Sequence, residues 1–198
     1  MRQKVLNIKR IAVLTSGGDA PGMNACVRAV VRSGAFYDLE VQGVYNGYDG
    51  LINGEFETFD SRSVAYILNH GGTMLYTARS DDLRTKEGRA RAYQQCQKHS
   101  IDGLITIGGD GTFTGAKIFE QEFNLPVVGI PATIDNDIYG TDYCLGYDTA
   151  VNTAVEALDK IRDTASSHDR LFGKLNLRMC YRRCYLHRSC LHLVTGLC

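Results

Sequence analysis

Three short apolar runs, each followed at once by a turn rich in glycine or aspartate, constrain the fold of this chain most strongly. The runs occupy residues 11–14 (IAVL), 103–107 (GLITI) and 126–130 (PVVGI). Continuous apolar runs of this length are typical of strands buried on both faces of a parallel sheet. A segment with helical periodicity follows each turn. The pattern therefore predicts a doubly wound α/β fold, with a mainly parallel sheet and helices on both faces.

Weaker patterns predict the remaining elements. Residues 40–44 are expected to form a second strand, and residues 61–69 a helix that begins at Ser61 and ends before two glycines. Thr85 is expected to open a helix that runs to about His99, and Asp148 to cap the last helix. The apolar face of that last helix is expected to comprise Val151, Ala154, Val155, Leu158 and Ile161.

The charge balance and the lack of long apolar runs exclude several functional classes. The 198 residues carry 22 Lys and Arg against 22 Asp and Glu, so nucleic-acid phosphates meet no excess of cations. No apolar run approaches the ~18–20 residues that span a bilayer, and the basic start MRQKVLNIKR leads into no signal-peptide core. We therefore expect a cytoplasmic protein that binds neither nucleic acid nor membranes.

A break in composition near Phe172 divides the chain. Residues 173–198 contain five basic residues, no acidic residue and four of the seven cysteines. This break predicts an α/β domain over residues 1–172 and an unrelated Cys- and Arg-rich tail over residues 173–198.

Three explanations of the tail are open. It contains five possible zinc ligands, although their spacing matches none of the usual paired-ligand patterns: Cys180, Cys184, His187, Cys190 and His192. A solvated basic tail is the second explanation, although Leu, Tyr and Cys are interleaved with the charges. A shifted reading frame is the explanation that the composition favours, because it changes charge and cysteine usage together.

The candidate chemistry lies in the three turns, because ligands of open α/β sheets bind at the carboxyl ends of strands. In the first turn, Gly18 leaves backbone N–H groups open to an anion just before a helix. In the second, GGDGT, the carboxylate of Asp110 suits a Mg²⁺ ion that bridges phosphates. In the third, Asp135 and Asp137 follow Thr133, and two nearby carboxylates can make one of them a base. Each motif alone is also compatible with an ordinary turn.

Arginines offer partners for phosphate groups. Arg79 and Arg84 lie in one loop, and guanidinium groups match phosphoryl oxygens in geometry. Arg28 and Arg32 lie four residues apart on one helix face, where an anionic ligand, water or nearby acids can relieve their repulsion.

Four motifs resemble successive signatures of one enzyme family. They are LTSGGDAPGMNA, GGDGT, PATIDNDIYGTD and DTASSHDR, and they match in order and spacing from about residue 8 to residue 171. In these motifs the chain resembles the bacterial-type ATP-dependent 6-phosphofructokinases. The resemblance implies glycolytic transfer of the γ-phosphoryl group of ATP to the 1-hydroxyl of fructose 6-phosphate, with Mg²⁺ as cofactor.

The resemblance also implies a nucleotide site. Asp110 would hold Mg²⁺, and Arg79 would balance the charge on the transferring group. Gly111 and Ala132 are small where pyrophosphate-using relatives typically carry Asp and Lys, which favours ATP as the donor. The ATP-binding residues would be Gly18, Arg79, Ser80, Gly109, Asp110, Gly111 and Thr112.

A sugar site and an effector site are implied in the same way. Asp135 would act as the general base with Asp137 in support, and Arg79 and Thr133 would complete the catalytic set. Fructose 6-phosphate would meet Thr133, Ile134 and Asp135, together with Arg170 in the site of a neighbouring subunit. An ADP-type effector would bind Arg28, Arg32 and Arg162, and the family's homotetramer is the expected assembly.

The chain departs from the family after Phe172. A Met-Gly-Arg motif that contacts the sugar is expected soon after Arg170, but the sequence continues GKLNLRMCYRRC. We also expect this chain to lack the second domain of the family. We therefore expect a C-terminally truncated phosphofructokinase that binds ATP weakly and does not turn over. The alternative is a non-catalytic nucleotide-binding or subunit-interaction fragment.

Overall fold

The computed structural model describes residues 8–168, apart from the side chains of residues 164–166 and 168. Arg170 and the tail at 173–198, with all three of its explanations, lie outside the described residues. Within the described residues, the elements are β1 (Arg10–Ser16), α1 (Met23–Phe36), β2 (Glu40–Val44), α2 (Gly47–Asn53), β3 (Phe56–Phe59), α3 (Lys86–Lys98), β4 (Gly103–Gly108), α4 (Asp110–Phe123), β5 (Val127–Pro131) and α5 (Tyr147–His168).

One five-stranded sheet organises these elements, in the order β3-β2-β1-β4-β5. All neighbouring strands pair in parallel except β3, which runs antiparallel to β2. Ser16 pairs with Gly108, and Gly108 pairs with Pro131, so the last residues of three strands stand side by side. The predicted fold class is confirmed, and this register brings the three turns to one edge of the sheet.

Helices cover both faces of the sheet, because alternate residues of the apolar strands point in opposite directions. Val13 of β1 packs with Met23 and Val27 of α1 on one face. On the opposite face, Leu14 packs in a cluster with residues of α2, α3 and α4, among them Phe119. Each fully buried side chain of this size contributes about 2 kcal/mol of burial free energy, so the two layers fix the sheet between them.

The predicted helix at residues 61–69 is wrong. The carboxylate Oδ1 of Asp60 accepts hydrogen bonds from the backbone N–H groups of Arg62 (2.8 Å) and Ser63 (2.7 Å), which folds the chain into a turn. Tyr66 then adopts a left-handed conformation (φ 62°), which interrupts any helix. What remains is one 3₁₀ turn at Ile67–Asn69.

Two other predictions on helix starts can be compared with the structure. Thr85 does cap α3, because its hydroxyl accepts a hydrogen bond from the N–H of Gly88 at 3.0 Å. Asp148 does not cap α5, since that helix begins at Tyr147 and places Asp148 in its first turn. None of the helices within residues 8–168 combines the length and the apolar character that crossing a bilayer requires.

Candidate functional site

A cleft of about 1030 Å³ opens where the three turns meet, at the carboxyl end of the sheet. Its lining includes residues from each turn and from the loop between residues 79 and 84. The cleft exists because β1, β4 and β5 end in register, so the chain leaves the sheet three times at one edge. This is the position at which open α/β sheets bind ligands.

The first turn presents bare backbone to the cleft. Gly17 has φ +91°, a conformation that a side chain would strain, and its carbonyl oxygen accepts a hydrogen bond from the Thr77 hydroxyl at 2.8 Å. Gly18 is exposed, and a Cβ atom at this position would have no neighbour within 4 Å. A ligand can therefore approach the backbone of Gly18 without meeting a side chain.

The second turn is held rigidly against the first. The Thr112 hydroxyl donates to the Ser16 carbonyl oxygen at 3.0 Å, and the Tyr48 hydroxyl donates to the Thr112 carbonyl oxygen at 2.7 Å. Gly108 must lack a side chain, because a Cβ would collide with the Ser16 carbonyl oxygen and the Thr112 hydroxyl. Burial raises the pKa of Tyr48, so its hydroxyl stays protonated and keeps donating.

Asp110 stands at the start of α4, in the open part of the second turn. The residue before it, Gly109, offers no side-chain cap, so the first N–H groups of the helix are left for solvent or a ligand. The Asp110 side chain has no hydrogen-bond or ion-pair partner among residues 8–168. A carboxylate and free N–H groups thus occupy the same end of one helix.

The third turn is shaped by Asn136, which has a left-handed backbone (φ 51°). Its side chain accepts from the Cys144 N–H at 2.7 Å and donates to the Asp142 carbonyl oxygen at 3.1 Å. These bonds fix the turn from behind, and both flanking carboxylates, Asp135 and Asp137, line the cleft in exposed positions. The turn therefore presents two carboxylates that do not serve its own folding.

Three arginines line the cleft, and they differ in how they are paired. Arg79 is exposed and has no ion pair within the described part of the chain, and Arg84 reaches only the exposed Asp81 at 3.7 Å. Arg89 is buried and binds both carboxylate oxygens of Glu122, at 2.6 and 2.8 Å. That guanidinium lowers the pKa of Glu122. Arg79 is thus the cation that is most available to a ligand.

The charge of the cleft suits a metal-bound phosphate better than a free one. Five aspartates line it against three arginines, one of which is neutralised by Glu122: Asp19, Asp81, Asp110, Asp135 and Asp137. No cluster of three or more metal-ligating side chains occurs between residues 8 and 168. A single carboxylate beside phosphate-binding backbone fits Mg²⁺, which takes few protein ligands and keeps waters and phosphate oxygens.

The structure brings most of the predicted site residues together. Those that line the cleft are Gly18, Arg79, Ser80, Gly109, Asp110, Gly111, Thr112, Thr133, Ile134, Asp135 and Asp137. The roles assigned to them stay predictions.

The predicted effector arginines do not line this cleft. Arg28 donates to the Val64 carbonyl oxygen at 2.7 Å, and Arg32 is exposed on the same helix. Arg162 lies 3.3 Å from Asp159 and 3.9 Å from Asp163 on α5. An anion-binding role for these residues therefore needs a different surface of the molecule.

Sequence reasoning missed an apolar side of the cleft. Tyr48, Leu83, Gly115 and Ile118 line it next to the start of α4. A Cβ at Gly115 would lie 3.0 Å from Leu83 and 3.6 Å from Tyr48, so the glycine permits close packing of this wall. Ile118 lies two turns along α4 from Asp110, and Tyr48 lies on the short α2, which no sequence pattern revealed.

Comparison with known proteins shows the family to which this chain belongs. The family model described as "Phosphofructokinase" matches residues 10–172, which include all three turns. The chain belongs to the phosphofructokinase family. It is 59% identical over 165 residues to the ATP-dependent 6-phosphofructokinase of Cytophaga hutchinsonii, and the match covers 83% of this chain and 50% of that protein.

Two further phosphofructokinases extend the comparison. The ATP-dependent 6-phosphofructokinase 1 of Thermus thermophilus is 59% identical over 165 residues, covering 83% of this chain and 51% of the relative. The structure of phosphofructokinase from Saccharomyces cerevisiae superposes with a TM-score of 0.79 at 40% identity, over 82% of this chain and 25% of that one. The chain spans about half the length of the curated relatives it matches.

Proposed function

We propose that this chain carries the nucleotide-binding half of an ATP-dependent 6-phosphofructokinase, and that its cleft binds MgATP. The observation that carries the proposal is the register of β1, β4 and β5, which gathers Gly18, Asp110 and Asp135 around one cleft. Supporting it, curated relatives at 59% identity are named ATP-dependent 6-phosphofructokinases.

In this proposal the phosphates lie between the first two turns. The backbone of Gly18 and the free N–H groups at the start of α4 donate to phosphate oxygens. Arg79 and Ser80 contact the phosphates from the facing loop. Gly109, Gly111 and Thr112 line the cleft, and their small or absent side chains let the phosphates come close to the backbone. Asp110 holds the Mg²⁺ ion, which when bound neutralises phosphate charge.

Asp135 performs the proton transfer in this proposal. Its carboxylate takes the proton of the 1-hydroxyl of fructose 6-phosphate as that oxygen attacks the γ-phosphorus, and the bond to the β-phosphate oxygen breaks. Thr133 and Ile134 contact the sugar, Asp137 supports the base, and Arg79 balances charge on the transferring group. Arg170 is proposed to contact the sugar phosphate in a neighbouring subunit.

Two small residues of the cleft, Gly111 in the second turn and Ala132 in the third, also favour ATP over pyrophosphate as the donor. Gly111 borders open space, since a Cβ there would meet no atom within 4 Å, whereas Ala132 is buried. An Asp at position 111 and a Lys at position 132, typical of pyrophosphate users, would place a charged side chain at each of these two positions. The open space is instead free for the body of a nucleotide.

Regulation and assembly extend the proposal beyond the cleft. Arg28, Arg32 and Arg162 are proposed to bind an ADP-type effector, in a cytoplasmic homotetramer. Arg28 already donates to the Val64 carbonyl oxygen, so effector binding would use its remaining N–H groups.

Calorimetric titration with MgATP, combined with a coupled assay of ADP release, tests the proposal. We expect the chain to bind MgATP with Arg79→Met weakening binding, and to release no ADP in response to fructose 6-phosphate. A chain that binds no MgATP would contradict the nucleotide site. Robust turnover would instead refute the predicted inactivity, and Asp135→Asn would then have to abolish it.

A further inference from the structure

A ladder of hydroxyl groups joins the loop that carries Arg79 to the end of β1. The loop at residues 73–80, called the strap, runs alongside the last residues of β1. The Thr15 hydroxyl donates to the Tyr76 carbonyl oxygen at 2.7 Å and lies 3.1 Å from the Thr73 hydroxyl. In the other direction, the Thr77 hydroxyl donates to the Gly17 carbonyl oxygen at 2.8 Å. One bond is thus donated from β1 to the strap, and the other is donated from the strap to the residue that follows β1.

The groups of the ladder have few other partners with which they could form hydrogen bonds. Thr15 is completely buried, so its hydroxyl would lose its partner altogether if the strap moved away. Tyr76 has a left-handed backbone (φ 56°), which a non-glycine residue adopts only when its surroundings hold it there, and the residue is 63% exposed, with its ring near Tyr45. The Tyr76 N–H donates to the Thr73 carbonyl oxygen at 3.1 Å within the strap, and the bond from Thr15 to the Tyr76 carbonyl oxygen ties this residue to β1.

Both ends of the ladder adjoin groups that the proposed function needs. The Gly17 carbonyl precedes Gly18, whose backbone faces the cleft, and Thr77 lies two residues before Arg79. The Ser16 hydroxyl adds a longer contact to the Ala78 carbonyl oxygen, at 3.5 Å. The strap therefore cannot shift without changing the distance between the glycine turn and the arginine.

We propose that Thr15 and Thr77 are positioning residues, whose hydroxyls hold Arg79 at a fixed place relative to the Gly17-Gly18 turn. The proposal rests on the proposed function, because it assigns the two threonines to the binding of the nucleotide phosphates. Neither threonine touches the ligand in this proposal. They act through the strap, by keeping the guanidinium of Arg79 where the phosphates lie.

Replacing Thr77 by Val and by Ser separates the hydroxyl from the shape of the side chain. We expect Thr77→Val to weaken MgATP binding about 5-fold, which corresponds to one lost hydrogen bond, and Thr77→Ser to restore it. Thr153→Val is the matched control, since its hydroxyl donates to the Thr149 carbonyl oxygen at 2.9 Å on α5, away from the cleft. Thr15→Val repeats the test from the other side if Thr77→Val fails to fold.

A double-mutant cycle distinguishes positioning from a general loss of stability. In an Arg79→Met background, we expect Thr77→Val to change MgATP affinity less than about 2-fold, because the residue it positions is gone. An equal loss in both backgrounds would overturn the proposal, and so would an unchanged affinity in the Thr77→Val variant.

Hydrogen exchange separates the failure of this proposal from that of the nucleotide site. Measured without ligand, the amides of residues 76–80 should exchange about 10-fold faster in Thr77→Val than in Thr153→Val. If the wild-type chain binds no MgATP, the proposed function fails, and the exchange result still decides whether the hydroxyls hold the strap. Equal exchange in the two variants would refute the ladder itself.

Discussion

Charged side chains are paired within the chain at one end of the central sheet and unpaired at the other. At the amino end, the Asp102 carboxylate accepts hydrogen bonds from the backbone N–H groups of Lys9 (2.8 Å) and Arg10 (2.9 Å). Arg10 in turn binds Glu40 at 2.7 Å and the His99 carbonyl oxygen at 2.7 Å. Asp102, Arg10 and Glu40 thus find their partners within the chain.

At the carboxyl end, charged groups are left without such partners. Asp110, Asp135 and Arg79 line the cleft, and none of them has an ion pair or a side-chain hydrogen bond to the rest of residues 8–168. Both ends belong to the same five-stranded sheet. The difference teaches that pairing within the chain marks a charge as structural, whereas an unpaired charge on a rigid turn is available to a ligand.

Replacing Asp110 by Asn should give the largest effect, because it removes the metal-holding charge at the unpaired end. We expect Mg²⁺ affinity in the presence of ATP to fall at least about 100-fold, since outer-shell changes alone typically cost 10–100-fold. Calorimetric titration of Mg²⁺ measures this loss. Asp38→Asn is the control, because Asp38 is exposed before β2 and Asn tolerates its left-handed backbone (φ 54°). An unchanged Mg²⁺ response in Asp110→Asn would remove this residue from the metal site.

Arg89 tests whether pairing, rather than location, makes a charge structural, because it lines the cleft yet binds Glu122. Arg89→Met should lower the free energy of unfolding by about 2 kcal/mol, as it leaves the carbonyl oxygens of Leu83 and Arg84 unpaired. Arg91→Met, which breaks an exposed pair with Asp82, should cost less than about 0.5 kcal/mol. Denaturant unfolding compares the two, and equal losses would contradict the distinction.

Asp102 gives the corresponding test at the paired end, through pH. The N–H groups of Lys9 and Arg10 hold the pKa of Asp102 below its usual value, so the charged form stabilises the folded state. The stabilisation is present above the unfolded pKa of about 4 and is lost as the pH falls through the folded pKa. Asp102→Asn should cost about 1 kcal/mol at neutral pH, after allowance for solvent screening. Unfolding curves from pH 7 to pH 3 should show the two proteins converging in acid, and a constant gap would contradict this assignment.

Thr106 and Thr112 give the smallest contrast, between two buried hydroxyls of the β4–α4 unit. Thr106 is fully buried, and its hydroxyl has no hydrogen-bond partner in the described structure, whereas the Thr112 hydroxyl donates to Ser16. Thr106→Val should therefore raise the free energy of unfolding by about 0.5 kcal/mol, and Thr112→Val should lower it by about 1 kcal/mol. Thermal melting of the two variants checks the signs, and a destabilised Thr106→Val would show that its hydroxyl does find a partner.

The sheet was largely predictable because three of its five strands, β1, β4 and β5, coincide with continuous apolar runs. β2 coincides with the predicted residues 40–44, and β4 extends the prediction by one residue to Gly108. β3 and α2 were missed for a physical reason. β3 is a four-residue edge strand whose Glu57 and Thr58 are exposed, so it lacks an apolar signal. α2 has seven residues and begins with a glycine, and its burial against β1 stabilises it rather than its own propensity.

The candidate site was predictable to the extent that it follows from strand ends. The rule that ligands bind at the carboxyl edge located Gly18, Asp110 and Asp135 together. The strap was not predictable, because the hydroxyl of Thr15 bonds to a carbonyl 61 positions along the chain. Contacts between distant segments leave no periodic trace in the sequence, so the residues that hold a site are harder to find than those that form it.

Because the strands end in register, the protein should tolerate inserted residues in the connections at the amino end of the sheet but not in those at its carboxyl end. One residue added after Gly108 or Pro131 would shift a wall of the cleft by about 3.3 Å, more than a hydrogen bond can follow. The opposite connections reverse direction at the left-handed residues Asp38, Ser100 and Asn124, and extra residues there would extend into solvent. Labels, tags and inserted domains therefore belong in those connections, where the protein can carry them without disturbing the spacing of its three turns.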